Sequence, residues 1–275
     1  NVGQLNFMSV TLRRLSGANP FDGPIGFFYL VKNGYKDLVV DLKTSTDEAA
    51  TLGDAVRVTA EPGYHVMNND RVTRLSSGRL VAPVASTANA ENGRYASSCY
   101  LSDDGGKTWR RSRNAVPYGG RGAMEPEVVE RDGGKLLMHI RTGLGHIAVS
   151  ESTDGGESWS EARSWGVRGP ESPATLRRIP STGDLLLIWN DTYHAGESHG
   201  GKRAPLTAAV SSDEGKTWTF RRDLELTEDS GYAYTSILFH RGRALLTYYV
   251  DHGKFGSLSS RFRSVPIAWF YEKGR

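Results

Sequence analysis

Polar and aromatic residues stand directly before four of the apolar stretches of this chain. They are Asn68, Asn69, Asp70 and Arg71, then Glu125 and Glu127, then Glu171 and Ser172, and finally Tyr232 and Tyr234. Carboxylates can move protons in general acid–base catalysis, and a planar guanidinium binds a carboxylate through two parallel charge-assisted hydrogen bonds. Ordinary strand openings would hold unremarkable turn residues, so we interpret this set as a candidate functional site.

Each of these positions begins an apolar strand, a glycine-containing turn and a second apolar strand. The copies are DRVTRLSSGRLVAPVA, PEVVERDGGKLLMHIR, SPATLRRIPSTGDLLLIW and YTSILFHRGRALLTYY, with a weaker copy, MSVTLRRLSGANPFDGPIGFFYL, near the start. A third strand, rich in small and β-branched residues, follows each hairpin, and no window of ten or more residues has helical periodicity. The pattern predicts five repeats of antiparallel strands within one domain that covers residues 1–275.

A second motif, Ser-x-Asp-x-Gly-x-Ser/Thr-Trp, ends three of the repeats. It reads SDDGGKTW, STDGGESW and SSDEGKTW, and a fourth copy, STDEAATL, lacks the Gly and the Trp. We call the four segments (45–52, 102–109, 152–159 and 211–218) the marker turns. Successive markers are 57, 50 and 59 residues apart, the length of a four-stranded blade with its loops, when measured at Asp47, Asp104, Asp154 and Asp213.

The marker turns have a structural explanation. An Asp side chain accepts hydrogen bonds from backbone N–H groups further along a turn, a hydroxyl closes the turn, and Gly supplies a positive φ. A calcium loop of the EF-hand kind would need more oxygen ligands and a distal Glu. We therefore expect pinned turns followed by packing residues between neighbouring blades, namely Trp109, Trp159 and Trp218.

Composition excludes several classes of protein. Of the 275 residues, 38% are hydrophobic, and the net charge of +3 is spread along the chain, so we expect a folded, soluble protein without a nucleic-acid partner. The single Cys99 excludes an internal disulfide framework, and the seven histidines lack i, i+4 spacing, so no metal or cofactor is expected.

The hydropathy of the chain and its N-terminal sequence bear on where the protein is located. No stretch approaches the roughly 18 apolar residues of a membrane span. The start, NVGQLNF, has neither an initiator Met nor a signal-peptide pattern, which indicates a processed or truncated N-terminus. A secreted or periplasmic location would depend on a signal that this chain does not include.

The marker turns resemble the Asp-boxes, or BNR repeats, of the sialidase (neuraminidase) superfamily, and the likeness covers nearly the whole chain. The stretches YHVMNNDRV, SPATLRRIPSTGDLLLIWND and YAYTSILF are similar to bacterial proteins regarded as predicted neuraminidases. The resemblance implies an all-β fold, a β-propeller of four-stranded antiparallel blades. Sialidases have six blades, so either five repeats close the propeller here or one N-terminal blade is missing.

The resemblance also implies a glycoside hydrolase that cleaves terminal acidic sugars, sialic acid or related ones, from glycoconjugates. The anomeric carbon of such a sugar bears a carboxylate that repels an anionic nucleophile, and the family uses a tyrosine. A phenol, with a pKa near 10, needs a neighbouring Glu as its base. Tyr234 matches the nucleophile, Glu127 or Glu125 matches the base with Glu171 as a rival, and Asp251 lies where an acid follows the Tyr hairpin.

Three arginines bind the substrate carboxylate in the family. Arg141 and Arg203 are 62 residues apart, and Arg203 precedes Tyr234 by 31, which is the family's order of second Arg, third Arg and nucleophile. The family's first Arg and its Asp acid belong to the first blade, and the local substitutes are Arg71 and Asp70. The remaining predicted ligand-binding residues are Asn69, Glu125, Asn190 and Tyr232.

Two other functions fit the same residues. The runner-up to the hydrolase is a propeller that binds carbohydrate without turnover, and the observation in its favour is that the family's first-blade Arg and Asp are not identified. Hydrolase or lyase chemistry on another uronic or ulosonic sugar would use the same arginines.

Overall fold

The computed structural model describes residues 5–17, 22–227, 229–253 and 257–272. Helix in these ranges is limited to three short 3-10 segments, Asp132–Gly134, Ser198–Gly200 and Ile267–Tyr271, so the all-β prediction is confirmed. The strands are β1 Asn6–Arg14, β2 Ile25–Gly34, β3 Asp37–Ser45, β4 Val56–Arg57, β5 Tyr64–Val66, β6 Thr73–Arg74, β7 Leu80–Thr87, β8 Ala96–Ser102, β9 Arg110–Arg111, β10 Val116–Pro117, β11 Met124–Glu130, β12 Leu136–Arg141, β13 His146–Ser152, β14 Arg163–Arg168, β15 Thr175–Arg178, β16 Leu185–Trp189, β17 Leu206–Ser211, β18 Thr219–Glu225, β19 Gly231–His240, β20 Arg243–Asp251 and β21 Leu258–Pro266.

The first two predicted repeats share one ten-stranded sheet. Its order is β1-β2-β3-β5-β7-β8-β10, with β4 on β3, β6 on β7 and β9 on β8. Most neighbours are antiparallel, whereas β3 and β5 are parallel and meet at one residue pair, Leu38 with Tyr64. This single pair joins two groups of strands that the sequence predicts as separate blades.

The later sheets follow the predicted repeats. Two have four strands, in the orders β11-β12-β13-β14 and β15-β16-β17-β18, and one, β19-β20-β21, has three in the described residues. The ladders of the last two sheets are antiparallel. Four-stranded repeats are thus confirmed for two sheets, and the last sheet differs by one strand.

The marker turn 102–109 has the predicted hydrogen bonds. Ser102 Oγ donates to Asp104 Oδ1 at 2.9 Å and accepts from the Gly106 N–H at 2.9 Å. Asp104 Oδ1 also accepts from the N–H groups of Lys107 and Thr108, both at 3.0 Å, and the Thr108 hydroxyl donates to Oδ2 at 2.6 Å. These bonds, the Thr108 hydroxyl foremost, lower the pKa of Asp104 to about 2.

The degenerate copy keeps the same pattern. Asp47 accepts from the Ser45 hydroxyl at 2.7 Å, from the Thr51 N–H at 2.9 Å and from the Thr51 hydroxyl at 2.6 Å. Glu48 and Ala49 adopt φ values of 58° and 69°, the left-handed conformation that Gly adopts in other copies. The hydroxyl–carboxylate bonds therefore define this turn even where Gly is absent.

The predicted packing of the marker tryptophans between repeats is confirmed for two of them. Trp109 meets Phe28 of β2 edge to face, with ring centroids 5.8 Å apart. Trp218 meets Trp165 of β14 in the same geometry at 5.2 Å. Trp159 is buried.

The chain divides into two compact units. Unit 1 comprises Asn1–Ile140 with Val149–Arg163, and unit 2 comprises Arg141–Ala148 with Ser164–Arg275. Each has its own core of buried aliphatic and aromatic residues, and examples are Phe28, Leu42 and Leu80 in unit 1 and Leu186, Leu246 and Phe270 in unit 2. In the described part of the chain, no helix has the length and apolar character of a membrane span.

Candidate active site

Three predicted site residues adopt a left-handed backbone conformation. The φ angles of Asp70, Glu125 and Tyr234 are 56°, 40° and 59°. Residues with a side chain rarely occupy this region, and each instance costs on the order of 1–3 kcal/mol. Such residues persist where the surrounding structure enforces them, and they cluster at active sites and ligand clamps. The strain gives these positions a structural distinction that the sequence did not reveal.

A β-bulge sets the orientation of Tyr234 in unit 2. The register between β19 and β20 shifts between Ala233 and Ser236. Ala233 and Thr235 are buried, whereas Tyr234 between them is only half-buried. A bulge redirects a side chain relative to a regular strand. Tyr234 is thereby turned out of the core.

Tyr234 lies in a cluster with Arg203 and Tyr249, which we call the aromatic–arginine cluster. The Arg203 guanidinium carbon is 5.6 Å from the ring centroid of Tyr234 and 5.9 Å from that of Tyr249. The two rings are 5.1 Å apart, and Arg203 Nη1 donates to the Tyr249 hydroxyl. Cation–π attraction holds such a cluster together.

Arg203 differs from most arginines of the chain in its partners. Within the described residues it has no carboxylate within 4.0 Å, and its side chain contacts the two phenols instead. The backbone of Arg203 is fixed because its carbonyl accepts the Tyr232 N–H at 2.7 Å. A held, half-buried guanidinium without an anionic partner is suited to bind an anion.

Arg141 and Glu171 form a second group in unit 2. Arg141 Nη2 is 3.4 Å from Glu171 Oε1, and both side chains are largely buried. His199 Nδ1 lies 3.4 Å from the same oxygen, while the Glu171 N–H donates to the His199 carbonyl at 2.7 Å. A Cβ at Gly143 would lie 2.8 Å from Glu171 Oε2, so the loop after β12 packs closely against this carboxylate.

Three other predicted residues of unit 2 belong to the framework. Asn190 is buried, donates to the carbonyls of Pro205 at 3.0 Å and Tyr232 at 3.1 Å, and accepts from Ser172 Oγ at 2.6 Å. Tyr232 is buried in the core of the unit. Asp251 ends β20 and accepts the Gly253 N–H at 3.0 Å. Asn190 therefore braces three segments around Arg203 and Tyr234.

In unit 1, Arg71, Glu127 and His139 form a group that we call the buried triad. The side chains of Arg71 and Glu127 have no exposed surface, and Arg71 Nη1 lies 3.2 Å from Glu127 Oε2. His139 Nε2 is 2.8 Å from the same oxygen. Burial, with a smaller effect of the Arg71 charge, lowers the pKa of His139 to about 3. His139 is therefore neutral at pH 7 and donates its Nε2 proton to Glu127.

Asp70 and Glu125 flank the buried triad along the chain. Arg13 Nη2 lies 3.0 Å from Asp70 Oδ1, and Asn68 Nδ2 donates to Glu125 Oε2 at 3.5 Å. Both carboxylates keep partial exposure, and Asn69 beside them is half-buried. The structure thus pairs Arg13 with Asp70 and Asn68 with Glu125 in unit 1, while Tyr234 and Arg203 come together in unit 2.

Sequence reasoning missed four residues of these groups. Asp70 forms an ion pair with Arg13, the first of the missed residues, and Arg71 forms one with Glu127. The other three missed residues are His139, His199 and Tyr249. Parity along β20 could have indicated Tyr249, because the preceding Tyr248 is buried and alternate residues face opposite sides of a strand. In the described ranges no three His, Cys, Asp or Glu side chains are grouped to hold a metal.

The fold and these groups define an all-β protein of hydroxyl-pinned turns that presents strained polar residues at strand openings. The model of the BNR repeat-like domain matches residues 15–246. The chain belongs to this family and thereby to the sialidase superfamily.

Relatives and solved structures agree with this assignment. A sialidase of Bacteroides fragilis is 27% identical over 210 residues, which are 71% of this chain and 36% of that protein. A Hadza microbial sialidase has a TM-score of 0.74 at 18% identity, covering 95% of this chain and 53% of that one. Trypanosoma rangeli sialidase in complex with sialic acid has a TM-score of 0.67 at 18% identity, covering 96% and 45%. The chain thus spans about a third of the first relative and about half of these structures.

Proposed function

We propose that the protein is a glycoside hydrolase that removes terminal acidic sugars, sialic acid or a related sugar, from glycans. The observation that carries this proposal is the aromatic–arginine cluster, in which a strained, half-buried Tyr234 lies beside an arginine without a carboxylate partner in the described residues. The relatives named as sialidases, and the sialic acid bound to one structural neighbour, support the substrate class.

The aromatic–arginine cluster is suited to nucleophilic attack by the Tyr234 phenol on a sugar carbon that bears a carboxylate. Arg203 would bind the sugar carboxylate, and its positive charge would favour ionisation of the phenol as the proton leaves. Tyr234 Oη would then form a bond to the anomeric carbon while the aglycone departs with a proton from an acid. Water would attack the same carbon in a second step and release Tyr234, so the anomeric configuration is retained.

The base must be a carboxylate with access to ligand. Glu127 has no exposed surface and neutralises Arg71, so we propose that it is a structural counter-ion. Glu125 and Glu171 stay candidates, and Asp70, which keeps some exposure, is the candidate acid. Arg141 would be a second ligand for the substrate carboxylate, held in place by Glu171.

A Tyr234→Phe variant tests the nucleophile. It removes only the hydroxyl, so turnover of an aryl glycoside of sialic acid should fall at least a thousandfold while free sialic acid still binds. Tyr35→Phe, which changes an exposed phenol of unit 1, is the matched control and should behave as the wild type. Undiminished turnover in Tyr234→Phe would discard the mechanism.

Two amide variants distinguish the candidate bases Glu125 and Glu171. Glu125→Gln and Glu171→Gln should differ in kcat, with the true base causing the larger loss. A wild-type protein that binds sialic acid but releases no sugar from several acidic glycosides would instead support the function of binding without turnover.

A further inference from the structure

The buried triad lies immediately beside two strained residues in sequence. Arg71 directly follows Asp70, and Glu127 comes two residues after Glu125. The 3.2 Å contact between Arg71 and Glu127 therefore connects the segments that carry two of the left-handed residues of unit 1, Asp70 and Glu125.

Further polar contacts tie the same segments. The Arg71 N–H donates to Thr11 Oγ1 of β1 at 3.0 Å, and Thr73 Oγ1 donates to the Val128 carbonyl of β11 at 2.8 Å. His139 on β12 supports Glu127 from the other side. Polar contacts at or next to the triad thus join β1, the segment around Arg71, and β11.

Stability alone does not explain a charged group at this depth. Desolvation of a buried ion pair offsets most of its Coulomb attraction, and apolar residues of similar volume often do as well or better. A left-handed residue, in contrast, needs its surroundings to hold it against relaxation. A directional, hydrogen-bonded triad fixes the position of a backbone more narrowly than interchangeable apolar packing does.

We propose that the buried triad is a positioning device that holds Asp70 and Glu125 in their left-handed conformations at the candidate site. Arg71, Glu127 and His139 are positioning residues in this proposal, since none of them has surface exposed to a ligand. The effect on turnover rests on the proposed function, whereas the effect on backbone conformation does not.

An apolar exchange of the whole triad tests the proposal. The variant Arg71→Met/Glu127→Leu/His139→Leu removes the Arg71 and Glu127 charges together, so we expect a folded protein with a melting temperature close to that of the wild type. Its crystal structure should show Asp70 and Glu125 outside the left-handed region, and kcat should fall at least tenfold with KM changed less. Retention of both φ angles, or of full turnover, would overturn the proposal.

A second variant decides the question if the triple variant does not fold. Glu127→Asp keeps the carboxylate but shortens the side chain that connects β11 to Arg71. We therefore expect a loss of kcat smaller than in the triple variant and a shift of φ at Glu125. Unchanged φ in this variant would equally overturn the proposal. The matched control, Arg79→Met/Glu157→Leu, removes a 3.0 Å ion pair elsewhere in unit 1 and should leave kcat and both φ angles unchanged.

The two proposals fail in different ways. A wild-type protein without activity on any acidic glycoside would count against the proposed function, and the φ angles of the triad variants would still test positioning. Active wild-type protein with unmoved φ angles in the variants would count against positioning alone.

Discussion

Arg71 in unit 1 and Arg203 in unit 2 have opposite surroundings. Arg71 has no exposed side-chain surface and lies against the Glu127 carboxylate, with His139 as a neutral donor. Arg203 is half-buried and contacts the phenols Tyr234 and Tyr249. An arginine that is already neutralised can only organise structure, whereas one beside neutral phenols keeps its charge for a ligand. The partner of an arginine, rather than its presence in a motif, therefore indicates its role.

The largest effect is expected in unit 1, when the ion pair between Arg71 and Glu127 is disrupted. Glu127→Gln leaves the Arg71 charge buried without its counter-charge, so the free energy of unfolding should fall by about 3–5 kcal/mol. Urea denaturation measures this loss. Glu272→Gln, at an ion pair with Arg222 whose carboxylate is largely exposed, should cost less than about 1 kcal/mol and serves as the control. Equal losses in both variants would contradict the contrast drawn for Arg71.

The next effect tests the side of unit 2. Arg203→Met should weaken binding of sialic acid by about 1.5–3 kcal/mol, the range for hydrogen bonds to charged groups, with little change in stability. Calorimetry with sialic acid and with its neutral methyl ester separates the effect of charge from that of shape. The ester should bind the wild type and Arg203→Met with the same affinity. If the wild type binds acid and ester equally, Arg203 does not recognise a carboxylate.

The pH dependence that the buried triad adds is smaller at each step of one pH unit. Because the pKa of His139 falls from 6.5 to about 3 on folding, the folded protein binds fewer protons than the unfolded chain between these values. Stability should therefore fall as pH drops through this window, by up to ~1.4 kcal/mol per pH unit. His139→Gln keeps a neutral donor and should flatten this fall in urea titrations at several pH values. An unchanged slope would show that His139 does not titrate on unfolding.

The smallest expected effect concerns the marker turns, a feature that both units share. Hydrogen bonds to the carboxylate, first that of the Thr hydroxyl, lower the pKa of Asp104 in unit 1 and of Asp213 in unit 2. Their stabilisation is present above the unfolded pKa near 3.9 and is lost as pH falls through the folded pKa, which is about 2 for Asp104. Asp104→Asn and Asp213→Asn should lower the melting temperature slightly and alike, and both should weaken the acid dependence. A large difference between them would mean that the turns are not equivalent.

Much of the fold could be predicted from local sequence. The marker turns depend on side chains within seven residues of one another, and the hairpins depend on alternation and glycine turns, so both follow from short windows. The joining of the first two repeats through Leu38 and Tyr64 could not be predicted, because one parallel pair leaves no pattern in sequence.

The candidate site could be predicted only in outline. Residue type and order indicated Tyr234 and Arg203 together, and the structure brings them together. The pairing of Arg71 with Glu127 spans two repeats, and nothing near Arg71 in sequence specifies it. Left-handed conformations at Asp70 and Glu125 are set by tertiary contacts, which local propensity does not encode.

In two marker turns a left-handed glutamate depends on an arginine of the same repeat. Glu48 and Glu214 occupy the left-handed position that glycine takes in the other two turns, and each is bound through both carboxylate oxygens by one arginine, Arg14 and Arg178 respectively. Each arginine ends the first strand of its repeat, 34 and 36 residues before the glutamate. Arg74 ends β6 at the corresponding place although its turn carries Gly105, and its guanidinium donates to the Gly17 carbonyl at 2.8 Å instead. We therefore expect homologous repeats to carry the glutamate only where the arginine is present, so a lineage that loses the arginine should regain glycine in the turn.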